Sequence, residues 1–377
     1  MQSILFISGT RPEIIKLAPL YHALQQAPWA DVQWLHTGQH TEMAAQILTC
    51  FDISPDIVLT RQGESLLDFS TACRLQLDKI MTQRPWSLVI VQGDTESAFL
   101  GALAGFYHRV PVAHIEAGLR TNNLNRPFPE EGLRQMLSRI SQYHFAPTLG
   151  AQANLLAEGV SSSDIRVVGN TVIDAQLWVC RTKGLRRQVN GQGHMLVTVH
   201  RRENWGDDVD QICHAIADIA TQHETLNVLF PVHLNPIIQA PVHRILGKLG
   251  NVTLTSPLDY LQMQQALADA WIVLTDSGGL QEEAPTFGIP LLILRDETER
   301  PEAIASGCAA VIGSNRENIV NSVNRLLKDD LAYRRMQQAR NPFGDGTASQ
   351  QIVARLGESL HTSKNFRSAD VEVQKCG

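Results

Sequence analysis

Short apolar runs alternate with helical stretches along nearly the whole chain. The runs fall at 3–8, 32–36, 88–92, 111–115, 143–146 and 165–168, then at 195–199, 227–231, 252–254, 271–275, 290–294 and 309–312. Four to six apolar or β-branched residues in succession, without polar alternation, mark a strand covered on both faces. Such strands, separated by helices, predict parallel sheets in an α/β protein. A length of 377 residues allows about two domains at the usual ~150 residues each. The pattern therefore predicts two doubly wound, Rossmann-like domains facing a cleft, residues 1–170 and 171–347, with the crossover near Gly169-Asn170. A helix near 348–362 is expected to pack back on the first domain, and 363–377 reads as a polar, frayed tail. The segment 181–194 is polar, carries glycines and has no strand pattern, and it lies inside or just before the second series.

Charge and composition narrow the partners. Hydrophobic content of 44% and charged content of 19% fit a globular protein with a full core. A net charge of −6 offers no general attraction to nucleic acid or an acidic membrane, so an anionic ligand needs a local cluster of donors. No apolar stretch approaches the ~20 residues of a membrane span. Met1 to Ser8 reads as a first strand rather than a signal peptide. Six cysteines, none paired at metal spacing, read as thiols of a cytoplasmic protein.

Open parallel sheets bind ligands beyond the carboxyl ends of their strands, so the residues just after each run are the candidates. Three acids stand out. Asp94 follows 88–92, Glu116 follows 111–115, and Glu130 opens a helical pattern. Acids gathered in a cleft suit proton transfer, and burial there raises a carboxyl toward working pH. Each also has a plain structural reading: Asp94 as the cap of a helix near Thr95, Glu130 as a helical ion pair with Arg134, and Glu116 as a strand-end acid beside the small Ala117-Gly118. Gly9-Thr10-Arg11-Pro12-Glu13 has capping-box spacing, and free amides there with Arg11 and Lys16 would favour an anion. In the second half, Asp276-Ser277-Gly278-Gly279 precedes a helix expected from Leu280, and its glycines let amides approach a phosphate. A carboxylate in the next turn suits ribose hydroxyls. His200, beside Arg201 and Arg202, is a further strand-end candidate, whereas His233 reads as structural. Arg300 is a strand-end cation whose structural alternative is pairing with Glu299 or Glu302.

Taken together these phrases resemble those of the non-hydrolysing UDP-N-acetylglucosamine 2-epimerases. The resemblance rests on Gly9 through Glu13, Gln92-Gly93-Asp94-Thr95, His114 through Arg120, Pro129-Glu130-Glu131, Gly169-Asn170-Thr171, His200 through Asn204, Thr275 through Pro285, Thr298 through Glu302, and Asn341 through Gly346. It implies a glycosyltransferase-B-type fold and reversible conversion of UDP-N-acetylglucosamine to UDP-N-acetylmannosamine, by elimination of UDP and re-addition. It implies no metal and no nicotinamide, a cytoplasmic homodimer, and products that feed surface polysaccharides. Carried over by motif, Asp94, Glu116 and Glu130 become the acid–base set, and His200 joins the catalytic group as a diphosphate contact. Arg11, Lys16, Arg134, Ser277, Gly278, Gly279 and Arg300 become substrate contacts, and Glu283 becomes the ribose acceptor. Met263 stands where a phenylalanine often packs near uracil, Thr41 where an arginine is common, and Val199 where glycine or alanine is usual. Competing readings on the same scaffold are a hydrolysing epimerase, a 2-epimerase of a modified UDP-sugar, a glycosyltransferase and a non-catalytic nucleotide-sugar sensor.

Overall fold

The structure is a computed structural model that describes residues 1–40, 42–187, 193–201 and 205–373, apart from the side chains of residues 42, 43 and 362–373. The chain forms two compact α/β units, Met1–Ala175 with Gly344–Gly377, and Gln176–Phe343.

The first unit is built on a seven-stranded sheet. Its strands are β1 (Gln2–Ser8), β2 (Ala30–His36), β3 (Ile57–Val58), β4 (Leu88–Gln92), β5 (Val112–Ile115), β6 (Tyr143–Ala146) and β7 (Ile165–Val167), in the order β3-β2-β1-β4-β5-β6-β7. Every pairing is parallel. All seven residues of β1 are buried, as a central strand with helices on both faces requires. Phe6, Tyr21 and Trp34 pack on one side of it, with the Phe6 and Trp34 rings stacked at 5.6 Å. The C-terminal helix Ala348–Val373 belongs to this unit and runs past the start of the segment read as a polar tail. Asp174 accepts the Ser349 N–H at 2.7 Å where that helix begins, and Gly357 lies against the Trp29 ring.

The second unit repeats the plan. Strands β8 (His194–Thr198), β9 (Val228–Pro231), β10 (Val252–Thr255), β11 (Ala270–Thr275), β12 (Leu291–Ile293) and β13 (Ala309–Val311) form a parallel sheet in the order β10-β9-β8-β11-β12-β13. Its core is apolar side chains such as Met195, Val197, Ile216, Phe230, Ile272 and Leu292. All the predicted runs form strands; β3 is the addition, and at two residues it carries no run to read. Residues 188–192 of the segment 181–194 lie outside the described residues, and its first residues close the helix Thr171–Lys183. Among the described residues, no helix is long and apolar enough to cross a membrane.

Both sheets reverse their winding direction at one place, between β1 and β4 in the first unit and between β8 and β11 in the second. Adjacent strands there send their connections to opposite faces, which leaves a crevice at the carboxyl ends. Gly9–Arg11 and Asp94 stand at the first of these points, His200 and Asp276 at the second.

One glycine fixes how the chain leaves β5. Gly118 has φ +91°, and a Cβ there would lie 2.3 Å from the Ala151 carbonyl oxygen and 2.9 Å from Leu155 Cγ. Gly118→Ala is expected to cost about 2–4 kcal/mol through backbone strain and overpacking. Gly132→Ala, in a helix with open space around the added methyl, is expected to gain about 0.5–1 kcal/mol. Denaturant midpoints of the two variants check both signs.

Candidate active site

In the first unit, β1 runs into the helix Arg11–Gln25 through Gly9-Thr10. Glu13 is fully buried, and its carboxylate accepts the Gly9 N–H at 3.1 Å, the Thr10 N–H at 2.7 Å and the Thr95 hydroxyl at 2.7 Å. The amides expected to receive an anion are thus already taken by the chain's own acid. Burial pushes the Glu13 carboxyl up to about 7, although the bonds from Thr95, Thr10 and Gly9 pull the other way. Arg11 is half-buried at the first helical position, with no ion pair among the described residues.

Asp94 is not a helix cap. Thr95 caps the helix Glu96–Tyr107 by accepting the Ala98 N–H at 3.1 Å. Asp94 instead receives Arg134, whose Nε and Nη2 lie 2.7 and 2.6 Å from Oδ2. Its carboxyl is raised: burial is the largest cause, opposed by the Arg134 charge and reinforced by Glu116, with Lys16 also lowering it.

Glu116 sits one residue past β5 at φ +62°, a backbone region that side chains rarely adopt. Its carboxylate is tied from three other segments. Lys16 Nζ pairs with Oε2, Asn170 Nδ2 donates to Oε2 at 2.7 Å, and Gln92 Nε2 donates to Oε1 at 3.0 Å. The side chain is only 9% exposed. Strain that persists under such bonding is typical of a functional position.

The two adjacent glutamates have different fates. Glu131 is fully buried and accepts the Thr121 and Asn122 N–H groups at 3.0 and 3.2 Å and the Gln135 amide at 3.0 Å. Burial pushes its carboxyl up, but these bonds and the Arg134 charge outweigh it, so the net shift is downward. Glu131 thus fastens the 121–122 turn. Glu130 keeps a buried Oε2 with no hydrogen-bond partner among the described residues. The expected Glu130–Arg134 pair is not formed, because Arg134 reaches Asp94 and Glu131 instead. The two-nitrogen link to the half-buried Asp94 outcompetes a helical pair worth only ~0.2–0.5 kcal/mol.

In the second unit, β11 is followed by Asp276 and Ser277, and the helix starts at Gly278, two residues before the predicted Leu280. Glu282 and Glu283 therefore close this six-residue helix rather than open it. Arg300 lies on Gly278, where a Cβ would come within 2.8 Å of its Nη1. Its Nη1 reaches Glu299 at 3.4 Å, one of the two pairings expected, and its Nε donates to Glu282 at 2.8 Å, a partner not expected. Gly279 faces open space. Glu283 is buried and accepts Gln264 Nε2 at 2.9 Å, next to the half-buried Met263 on the helix Tyr260–Ala268. His200, half-exposed, places Nδ1 3.0 Å from Asp276 Oδ1. His233 accepts the Asn235 N–H at 3.1 Å just before the helix Pro236–Leu246, a structural use. Thr41, Arg202, Glu203 and Asn204 lie outside the described residues.

Sequence reasoning gave Glu13, Asn170 and Asp276 no part of their own in the site. Glu13 was visible only as a capping residue, and its bond to Thr95 spans 82 positions. Asp276 was visible only as part of a glycine-rich loop.

Two switch-point crevices, one lined by bound carboxylates and the other by a His–Asp pair and an arginine, define a two-unit α/β enzyme of the glycosyltransferase-B type. Residues 22–357 match the family model described as UDP-N-acetylglucosamine 2-epimerase. The UDP-N-acetylglucosamine 2-epimerase of Escherichia coli (strain K12) is 44% identical over 367 residues, covering 94% of this chain and 98% of the relative. The crystal structure of UDP-GlcNAc 2-epimerase from Neisseria meningitidis bound to UDP-GlcNAc superposes with a TM-score of 0.84 at 39% identity, over 95% of this chain and all of the other. A glycotransferase of kitacinnamycin, 11% identical with a TM-score of 0.62 over 93% of this chain and 98% of its own, shares the fold alone. The chain belongs to the UDP-N-acetylglucosamine 2-epimerase family.

Glu13 generates a pH prediction. The free chain ionises this acid near 4.5 and the folded chain near 7, so its contribution to stability is full below about 4.5 and is lost as pH rises through 7. Glu13→Gln removes that dependence. Urea midpoints at pH 5 and pH 8 are expected to show the native chain's advantage over the variant shrinking at the higher pH.

Proposed function

We propose that the chain interconverts UDP-N-acetylglucosamine and UDP-N-acetylmannosamine. The observation that carries this reading is the way Asp94 and Glu116 are held: two strand-end acids in mutual electrostatic contact, each paired with a cation, in the unit that also bears Glu130 with its buried, unpartnered Oε2. Family membership supplies the substrate class.

The C2 proton of the sugar is not acidic, because C1 is not a carbonyl. Its removal becomes feasible when it is coupled to loss of a good leaving group. One carboxylate takes the C2 proton while the C1–O bond to the diphosphate breaks, giving a 2-acetamidoglucal and UDP. UDP then adds back at C1 while another carboxyl delivers a proton to the opposite face of C2. Protons and electron pairs balance with acid–base groups alone. Asp94, Glu116 and Glu130 form the set that moves these protons, with Lys16 and Arg134 holding two of them. Arg11, His200, Ser277, Gly278, Gly279 and Arg300 stabilise the diphosphate, whose charge rises as it leaves. Glu283 takes the ribose, and Met263 packs near the base. The reading extends to a cytoplasmic homodimer; among the described residues, the free thiols at Cys73, Cys180, Cys213 and Cys308 support a reducing compartment.

The test is incubation with UDP-N-acetylglucosamine in deuterated water, followed by NMR. Deuterium at C2 and a UDP-N-acetylmannosamine signal without free hexosamine are expected. Intact, undeuterated substrate would overturn the reading, and free N-acetylmannosamine would show a hydrolytic enzyme. Asp94→Asn and Glu116→Gln are expected to lose turnover on the order of 10²-fold or more while calorimetry still detects UDP binding.

A further inference from the structure

Asp276 makes more bonds to one short segment than a loop tie needs. It is fully buried at the end of β11, beside β8 at the switch point. The His200 N–H lies 3.2 and 3.0 Å from its two oxygens, and the Arg201 N–H donates to Oδ2 at 2.9 Å. Those backbone bonds tie the carboxylate to the chain that follows β8. The His200 ring then adds Nδ1 at 3.0 Å from Oδ1, while 41% of the His200 side chain stays exposed.

This geometry sets the state of the ring. An ionised carboxylate only accepts hydrogen bonds, so the nitrogen facing it must carry the proton. Burial pushes the Asp276 carboxyl up, but the His200 ring and the backbone N–H groups of Arg201 and His200 outweigh it, and the acid is held below its ordinary range. It therefore stays an acceptor at neutral pH. Among the described residues, Arg300 pairs with Glu282 and Glu299, and Arg201 offers Asp276 its backbone.

We propose that Asp276 is a positioning residue for His200, holding Nδ1 protonated and turned inward so that Nε2 is the ring nitrogen presented to an anionic ligand. When the ring is protonated, Nε2–H donates to that anion and the fixed carboxylate balances the imidazolium charge. The identity of the anion as a sugar-nucleotide diphosphate rests on the function proposed above; the orientation of the ring does not. The acid does not touch the ligand and acts only through the histidine.

The experiment is long-range ¹H–¹⁵N NMR of the histidine rings in the full chain, at a pH where they are neutral. His200→Asn identifies the His200 signals by their disappearance. The native chain is expected to show a protonated Nδ1 and a bare Nε2; the opposite tautomer overturns the proposal without any variant of Asp276. In Asp276→Asn the ring is expected to move toward the Nε2–H form, and kcat for UDP-N-acetylglucosamine to fall on the order of 10-fold or more with a smaller change in KM. Unchanged kcat in a folded Asp276→Asn chain overturns the proposal and leaves the epimerase reading intact. The expected tautomer in a chain that never turns over UDP-N-acetylglucosamine supports the positioning and overturns the substrate reading instead.

Discussion

The capture of Glu116 is the constraint on which the first unit's strand-end cluster depends. A carboxylate nearly removed from water is costly unless a charge and hydrogen bonds replace the solvent it has lost. Lys16 supplies the charge, and Asn170 and Gln92 supply the bonds. These partners come from the helix after β1, from the residues after β7 and from β4, so Glu116 joins segments that enter the site from different parts of the sheet. The left-handed backbone at Glu116 and the close approach of Gly118 to Ala151 are local costs that this bonding offsets.

Glu13 performs a comparable task one layer deeper. Its carboxylate joins the turn after β1 to Thr95, and Thr95 in turn caps the helix after β4. The two strands flanking the switch point thus have their outgoing turns fastened together, and Asp94 is the residue immediately before that fastening. Its position is set by backbone on one side and by Arg134 on the other.

How much of this was legible in the sequence follows from the range of each interaction. The strands were readable because β1, β4, β5 and β11 are buried nearly throughout, so each left an unbroken apolar run. Ile57–Val58 left none. Strand-end position alone flagged Asp94, Glu116 and His200, since open parallel sheets place ligands there. What failed was partner assignment. Glu130 and Arg134 have ideal helical spacing, yet Arg134 turns to Asp94, 40 positions away. Likewise Lys16 finds Glu116 and Gln264 finds Glu283 across separations that no local rule spans. The fold decides these contests, because it brings together partners that are far apart along the chain and near in space.

The two units share a topology and use opposite charge logic. In the first, cations hold acids: Lys16 holds Glu116 and Arg134 holds Asp94. In the second, acids hold cationic or donor groups: Asp276 holds His200 and Glu282 holds Arg300. The same strand order places both sets beyond the carboxyl ends of their sheets, so the fold does not distinguish them. The difference lies in how much access to solvent the acid keeps, and Asp94 keeps the most of the four. Asp276 and Glu282 are almost fully enclosed while their partners keep partial access to solvent. In the first unit the acid and the cation share that access, with side-chain exposures of 9% for Glu116 against 14% for Lys16 and 24% for Asp94 against 16% for Arg134. An enclosed acid such as Asp276 can only present its partner, whereas the open edge of Asp94 can itself meet a ligand. That asymmetry is in keeping with the proposed division, in which acid–base groups lie in the first unit and anion contacts in the second.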